Sequence, residues 1–295
     1  MRPMNALLRG QIQVAPLPGP LVAKAVDEAL LEDLGLVGDV TTNATIPAAA
    51  TARALLKVRT AGVVAGIAVG EAAFKALDQS IVFNARVGEG HAAEAGETIA
   101  EITGNARAIL TGERVALNFM GRMSGIATLT RHYVNAVAGT KAAIVDTRKT
   151  TPLLRAFEKF AVRCGGGRNH RVGLFDAVLI KDNHIVAAGS VQNAVLAARS
   201  HAGHMVNIEV EVDTLEQLEA VLKYEVDAVL LDNMPPETLK RAVVMVDGRV
   251  LTEASGGVNL ATVRAIAETG VDLISVGALT HSAPVLDLGL DFIEN

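Results

Sequence analysis

The alternation of hydrophobic and polar residues divides the chain into an irregular first part and a regular second part. In the first part, apolar periodicity predicts helices at 21–34, 70–78 and 105–138. Short apolar runs predict strands at 51–59, 62–69, 80–87 and 97–103. No fixed repeat connects these elements, so this part predicts a mixed α/β unit.

From about residue 140 onward, strands and helices alternate strictly. The predicted strands lie at 142–146, 177–181, 206–212, 228–232, 249–254 and 273–277. The predicted helices lie at 151–162, 190–202, 214–224, 235–246 and 259–270, and Ser190, Thr214 and Asn259 are good capping residues for three of them. Repeated strand–helix–strand units predict a parallel sheet. Because six units are too few for a regular eight-stranded barrel, we predict an irregular, incomplete α/β barrel, with an open doubly wound sheet as the alternative.

Composition limits the environment and the partners of the protein. Half of the 295 residues are hydrophobic and only 3% are aromatic, which is typical of an aliphatic core around buried parallel strands. The formal net charge is −5 without a polybasic run, so we expect neither nucleic acid nor a membrane as a partner. The single cysteine, Cys164, fits a reducing compartment, and we expect a cytoplasmic protein.

Polar residues follow all six strands of the regular part, where α/β folds bind their ligands. These strand-end residues lie at 146–150, 181–184, 209–211, 232–233, 253–257 and 277. Charged side chains at the ends of apolar strands lie close together at one edge of the sheet, where each needs a charged or hydrogen-bonding partner. Their presence at every strand end therefore predicts a functional site.

The early strand ends are cationic and the later ones are acidic or small. The cations Arg148, Lys149, Arg171 and Lys181, with His170 beside them, imply a ligand with more than one anionic group. The later ends supply Glu211 and Asp232 and then the small residues Ser255, Gly256, Gly257 and Gly277. Small residues at strand-to-helix turns free backbone N–H groups for a phosphate. A phosphoribosyl donor that meets an acidic acceptor fits both halves, and so does other phosphosugar chemistry.

An ordered set of segments carries a family resemblance. The segments are "LLEDLGLVGDVTT", "LNFMGRMSGIATLT", "DTRKTTPLLRAFEKFAV", "GGGRNHRVGLFDAVLIKDNHI", "EVEVDTLEQLEA", "LLDNMPPE", "EASGGV" and "ISVGALTHSAP". Together they resemble quinolinate phosphoribosyltransferase from about residue 27 to residue 292. The resemblance implies a homodimeric pentosyltransferase of de novo NAD biosynthesis. It would transfer phosphoribosyl from phosphoribosyl pyrophosphate to quinolinate with decarboxylation and yield nicotinate mononucleotide, CO₂ and pyrophosphate.

The resemblance also implies a domain organisation and residue roles. It implies an N-terminal α/β sandwich at 1–115, to which 284–295 returns, and a barrel at 116–283. The quinolinate-binding residues would be Thr147, Arg148, His170, Arg171 and Lys181, with Arg114 reaching across from the partner subunit. The donor-binding residues would be Lys149, Lys181, Glu211, Asp232, Ser255, Gly256, Gly257 and Gly277. Lys149, Glu211 and Asp232 would be catalytic, and Mg²⁺ would be held mainly through the donor, with help from the two carboxylates.

Three other interpretations stay open. A paralogue with another acceptor, such as nicotinate, would keep the scaffold, but a monocarboxylate needs fewer cations than this site offers. A Schiff-base aldolase would use Lys181 as its nucleophile. A non-catalytic phosphosugar sensor would have no need of Glu211 and Asp232 beside a metal-bound donor.

Overall fold

A computed structural model describes residues 14–293, which form two compact units. The N-terminal unit contains 14–131, 156–166 and 283–293, and the barrel unit contains 132–155 and 167–282. The boundary near residue 131 falls inside a long helix, whereas the sequence-based division was drawn near residue 115. No helix of the described part is both long and apolar enough to span a membrane.

The N-terminal unit combines an antiparallel sheet with helices. Its helices are α1 (Gly19–Leu34), α2 (Val40–Thr45), α3 (Ile67–Leu77), α4 (Ala106–Ala136) and α5 (Arg155–Cys164). Its strands are β1 (Thr51–Val58), β2 (Gly62–Val63), β3 (Val82–Ala85), β4 (Ala92–Ala93) and β5 (Thr98–Asn105), with β12 (Leu288–Ile293) from the end of the chain. The four-stranded sheet has the order β12–β1–β5–β3, and β2 pairs with β4. The C-terminal strand therefore belongs to this unit as an edge strand.

The predicted strand at 62–69 is wrong for most of its length. Strand β2 covers only Gly62–Val63, and α3 begins at Ile67. Gly66 has a φ of +91° and turns the chain into the helix. A short apolar run bounded by glycines fits a strand and a buried helix equally well. Hydropathy alone therefore could not distinguish the two, which explains the error.

The C-terminal segment packs closely against α4 within the N-terminal unit. A Cβ atom added at Gly125 would lie 1.9 Å from the backbone oxygen of Pro284. Nearby, the Arg122 guanidinium donates to Glu158 Oε1 of α5 (Nη2–Oε1, 2.8 Å) and to the backbone oxygen of Ala283 (3.2 Å). Because the Glu158 side chain is only 1% exposed, this ion pair joins two helices and the C-terminal segment in the interior.

The barrel unit contains six parallel strands, and all but the first are followed by a helix of the same unit. The strands are β6 (Ala143–Val145), β7 (Val178–Ile180), β8 (Ile208–Val212), β9 (Ala228–Asp232), β10 (Leu251–Ser255) and β11 (Leu273–Ser275). The helices are α6 (Asp182–Ala188), α7 (Val191–His201), α8 (Leu215–Val221), α9 (Pro236–Val246), α10 (Val263–Ala267) and α11 (Ala278–His281). The six predicted strands are all present, displaced by three residues or fewer at their ends.

The strand order identifies the barrel. Strands β7 to β11 lie in chain order, and β11 pairs with the first strand, β6. A doubly wound sheet would instead reverse its order at a switch point, so the barrel prediction is confirmed and the alternative is excluded. Among the described residues, β6 and β7 do not pair with each other. The barrel is therefore incomplete at this seam.

Two of the three predicted helix caps are confirmed. The Ser190 hydroxyl accepts from the N–H of Asn193, and Thr214 forms a capping box with Gln217. Asn259 instead accepts from the N–H groups of Ala261 and Thr262 (3.0 and 3.1 Å), in a turn that precedes α10.

Candidate active site

A short stretch of chain lies along the open seam of the barrel. Residues 168–171, which we call the bridge segment, contact β6 through a parallel bridge between Val145 and Arg168. The N–H of Arg168 donates to Ile144 O (2.9 Å), and the N–H of Asp146 donates to Arg168 O (3.1 Å). The bridge segment therefore occupies the edge that a further strand would pair with in a complete barrel.

Asp146 fixes the bridge segment from the end of β6. Its carboxylate is fully buried and accepts from the Asn169 side-chain amide (Nδ2–Oδ2, 2.6 Å). Its other oxygen accepts from the backbone N–H of His170 (2.9 Å). Charge-assisted hydrogen bonds of this kind are short and strong. Asp146 therefore fixes the backbone position from which the His170 and Arg171 side chains extend.

The His170 ring points to two acidic residues inside the barrel. Its Nε2 lies 3.0 Å from Glu209 Oε2 and 3.7 Å from Glu253 Oε1. Its Nδ1 accepts from the backbone N–H of Arg171 (2.7 Å). Both ring nitrogens therefore face protein groups, and His170 holds the bridge segment in place as well as lying beside the cationic residues.

Arg148 and Arg171 form the cationic half of the site. Burial, and then the neighbouring Arg148 guanidinium, lower the pKa of Arg171 from its usual value. A guanidinium nevertheless stays protonated at any ordinary pH, so two like charges are held close together. Arg148 Nε is buried and has no hydrogen-bond partner within residues 14–293. Two adjacent cations with an unused buried donor are suited to an anionic ligand that carries two carboxylates.

Lys181 forms an ion pair with Glu211 across neighbouring strands β7 and β8. Its backbone N–H donates to the His184 ring (3.0 Å), which fixes the start of α6. In this pair the Lys181 amine is engaged by a carboxylate, whereas a Schiff-base nucleophile must be free to attack a carbonyl carbon. This pairing therefore disfavours the aldolase interpretation.

Lys149 lies in a turn after β6 with an exposed side chain. Its backbone N–H donates to the Thr147 hydroxyl (3.0 Å), and its backbone oxygen accepts from the Thr280 hydroxyl (2.7 Å). A Cβ added at Gly277 would lie 3.2 Å from Lys149 Cδ, so the small residue leaves room for the lysine stem. Lys149 therefore lies beside the last predicted phosphate-binding turn.

The turns after β9 and β10 are tightly fitted and require glycine. Gly256 and Gly257 have φ values of +94° and +61°, which favour glycine. A Cβ added at Gly256 would meet Asn233 Oδ1 at 2.1 Å. Asp232 Oδ2 accepts from the Asn233 amide (2.6 Å), and the N–H of Asn233 donates to Ser255 O (2.9 Å). Bare backbone N–H groups at such a turn are suited to phosphate oxygens.

The barrel unit thus contains all but one of the predicted site residues. His170 and Arg171 lie in the bridge segment beside the end of β6, and the others lie at or just after the carboxyl ends of the strands. The exception is Arg114, which lies on α4 in the N-terminal unit with an exposed side chain. Its predicted place in a neighbouring subunit's site stays a prediction.

Sequence reasoning gave no role to several residues that organise the site. Asp146 is one of the polar residues at the predicted strand ends, but nothing in the sequence indicates that it anchors the bridge segment. Arg155 donates to the Thr150 hydroxyl (3.0 Å) and to Val172 O (3.1 Å), which joins the turn after β6 to the loop after the bridge segment. Alternation along β8 and β10 could have placed Glu209 and Glu253 inside the barrel, because Glu209 shares a face with Glu211.

Comparison with known proteins identifies the family of this chain. The family model described as quinolinate phosphoribosyl transferase, C-terminal domain, matches residues 126–291, and that of the N-terminal domain matches 39–124. The chain belongs to the quinolinate phosphoribosyltransferase family. Within this family it is 44% identical to the probable nicotinate-nucleotide pyrophosphorylase [carboxylating] of Bacillus subtilis, over 91% of this chain and 92% of that protein. It is 47% identical to the Mycobacterium leprae nicotinate-nucleotide pyrophosphorylase [carboxylating], over 90% and 95%.

Solved structures support the same membership of the quinolinate phosphoribosyltransferase family. The crystal structure of NadC from Streptococcus pyogenes has a TM-score of 0.90 with 40% identity, and covers 95% of this chain and 100% of its own. The nicotinate-nucleotide pyrophosphorylase from Francisella tularensis has a TM-score of 0.91 with 38% identity, over 95% and 99%. This chain therefore shares its overall fold with these two proteins.

Proposed function

We propose that the protein transfers a phosphoribosyl group from phosphoribosyl pyrophosphate to quinolinate, with decarboxylation to nicotinate mononucleotide in de novo NAD biosynthesis. The observation that carries this proposal is the half-buried pair Arg148 and Arg171, with an unused buried Arg148 Nε–H, together with the carboxylates Glu211 and Asp232 on adjacent strands β8 and β9. A pyridine dicarboxylate matches the two guanidinium groups. A phosphorylated pentose matches the acids and the glycine turns. Family membership supports both assignments.

In the proposed mechanism, the two arginines hold the carboxylates of the acceptor so that its ring nitrogen faces the anomeric carbon of the donor. Holding two reactants in line contributes about 7–11 kcal/mol to lowering the barrier. As the bond to pyrophosphate breaks, the ribose becomes oxocarbenium-like, and Glu211 and Asp232 stabilise this positive charge. Lys149 neutralises charge on the departing pyrophosphate. N-ribosylation makes the ring cationic, and this drives loss of the adjacent carboxylate as CO₂. The C–C bond leaves its electron pair on the ring carbon, which then takes up a proton from solvent to give nicotinate mononucleotide.

The proposal includes Mg²⁺ because the protein and the substrate together offer the oxygen ligands that this ion prefers. Mg²⁺ prefers carboxylate and phosphate oxygens, and it is held in proteins by one or two carboxylates together with substrate phosphates. Glu211 and Asp232 offer such oxygens at the ends of adjacent strands β8 and β9. When bound there with the donor, Mg²⁺ would neutralise the pyrophosphate leaving group.

The reaction itself is the decisive test. Mixing the protein with Mg²⁺, quinolinate and phosphoribosyl pyrophosphate is expected to release CO₂ and form nicotinate mononucleotide. Nicotinate in place of quinolinate is expected to react with a much lower kcat/KM, because one carboxylate leaves a guanidinium unpaired. Absence of product with quinolinate, or equal use of both acceptors, would contradict the proposal.

Replacing the acidic residues should affect turnover more than binding of the acceptor. We expect Glu211→Gln and Asp232→Asn each to lower kcat about 100-fold or more, since they remove charge that opposes the developing cation. The KM for quinolinate should change little. Glu237→Gln, at an exposed carboxylate on α9, is the matched control. Steady-state kinetics with unchanged kcat in both variants would refute their catalytic role.

We also propose a homodimer in which Arg114 completes the site of the neighbouring subunit. Arg114 is exposed on α4, and Thr111, one turn earlier, donates to Asp39 Oδ2 (3.0 Å). The segment around Asp39 exposes the large apolar side chains Leu36 and Val37 (102% and 78%). An arginine beside exposed apolar residues has the composition of an interface.

Subunit mixing tests this arrangement directly. Arg114→Ala and Arg171→Ala homodimers should each be nearly inactive at low quinolinate concentration. If Arg114 acts across the interface, a mixed dimer carries one intact site, and mixing should restore about a quarter of wild-type activity. Light scattering would establish the dimer, and mixing without recovery of activity would exclude a shared site.

We further place the enzyme in the cytoplasm, acting on small molecules without nucleic acid or membrane partners. The acidic net charge of −5 and the single cysteine support this placement.

A further inference from the structure

The interior of the barrel holds a cluster of titratable groups beneath the cationic half of the site. It consists of His170, Glu209 and Glu253, with one nitrogen or oxygen atom from each lying within 4.8 Å of the others. Glu209 and Glu253 are 8% and 2% exposed. The mechanism above uses neither acid. Two buried carboxylates at this separation are costly if both are ionised, so their protonation needs an explanation.

The hydrogen bonds of the cluster define where protons lie. The Arg171 backbone N–H can only donate, so His170 Nδ1 is an acceptor and the ring proton lies on Nε2. This Nε2–H donates to Glu209 Oε2 (3.0 Å). The nitrogen that faces the acids therefore has no lone pair for a metal ion. The charge of the second carboxylate is therefore balanced by a proton and not by a metal ion.

Two oxygen atoms of the cluster lack partners. Glu209 Oε1 and Glu253 Oε1 are buried and have no hydrogen-bond partner among the residues that the structure describes. A proton on Glu253 turns one of its acceptor oxygens into a donor and removes one of the two buried negative charges. Burial and the neighbouring Glu209 carboxylate raise the pKa of Glu253 to about 8, in agreement with this arrangement.

We propose that Glu253 is a positioning residue for quinolinate binding: as a neutral acid it completes the Glu209–His170 cluster beneath Arg171 without adding a second negative charge. This inference rests on the proposed function. Glu209 already acts electrostatically on Arg171, which follows His170 directly in the bridge segment. A second carboxylate there would oppose the dianionic acceptor and draw the guanidinium inward.

The surroundings of Glu253 determine the sign of its pH dependence. It faces Glu209 from β8, His170 from the bridge segment, Asp146 from the end of β6 and the Ser275 hydroxyl from β11. Near pH 7 Glu253 is mostly neutral, and above pH 8 it ionises next to other acids. Quinolinate has both carboxylates ionised throughout this range, so its binding should weaken as the pH rises.

The test compares the wild-type enzyme with Glu253→Gln, which keeps the shape of the neutral acid at every pH. Between pH 7 and pH 9 the wild-type KM for quinolinate should rise about five- to tenfold, while the variant's KM stays within about twofold of the wild-type value at pH 7. The kcat and the KM for the donor should differ little between the two. Glu237→Gln, an exposed carboxylate on α9, should follow the wild-type profile.

An infrared measurement keeps the inference testable if the variant does not fold. The wild-type protein should show the C=O stretch of a buried protonated carboxyl at pH 7 that disappears at pH 9.5, and Glu253→Gln should lack it. A flat wild-type profile, the same alkaline rise in Glu253→Gln, or no titrating infrared band would overturn the inference. Absence of any turnover by the wild-type protein at pH 7 would instead overturn the proposed function.

Discussion

Arg171→Ala is expected to raise the KM for quinolinate by about 10- to 150-fold, because a hydrogen bond to a charged group contributes about 1.5–3 kcal/mol. The half-buried guanidinium lies close to Arg148, and it donates to Ala177 O (3.3 Å), which orients it. Alanine removes one of two adjacent cations and leaves an acceptor carboxylate without its partner. The effect should therefore concentrate on quinolinate.

The comparison that isolates this effect uses both substrates. Steady-state kinetics should show a much smaller change in the KM for phosphoribosyl pyrophosphate, since the donor is assigned to the acidic half of the site. Arg241→Ala removes an exposed arginine on α9 and should leave both KM values unchanged. Wild-type affinity for quinolinate in Arg171→Ala would remove this residue from the acceptor site.

Gly125→Ala is expected to destabilise the protein by roughly 3 kcal/mol or more, although the same change within a helix usually stabilises by about 1 kcal/mol. The reason is the approach of the C-terminal segment, whose Pro284 oxygen would lie 1.9 Å from the new methyl group. The position of the Cβ is fixed by the backbone of α4 and the Pro284 oxygen is itself backbone, so no side-chain rotation can relieve the clash. The clash must shift the segment that leads into β12.

Urea denaturation measures this effect, and Gly19→Ala provides its control. Gly19 begins α1 and has no atom within 4 Å of an added Cβ, so alanine there should be neutral or slightly stabilising. A midpoint for Gly125→Ala equal to or above the wild-type midpoint would show that the C-terminal segment does not pack on α4 as described.

The features that could be predicted from the sequence are those encoded by local periodicity. The six barrel strands are short apolar runs ended by polar residues, and strands such as β9 begin and end where predicted, at Ala228 and Asp232. Because the carboxyl ends of parallel strands lie at one edge, the cationic and acidic residues could also be assigned to one site before any coordinates were known.

The features that could not be predicted depend on contacts between distant segments. The bridge segment has a single bridge pair at Arg168, too short to produce an alternating pattern. The protonation of Glu253 depends on groups from four other parts of the chain, and none of these is near it in sequence. Within the run 62–69, the glycine at Gly66 decided the outcome through its backbone conformation and not through its hydropathy.

The open seam of the barrel has a consequence for how such an enzyme changes its substrate preference. The residues that occupy the seam also present Arg171, so sheet closure and recognition of the acceptor share one short stretch of sequence. Evolution therefore cannot readily redesign the acceptor pocket there without altering the integrity of the scaffold. Descendants that adopt a new acceptor should more readily acquire substitutions at Arg148 or in neighbouring loops, where recognition can drift while the scaffold persists.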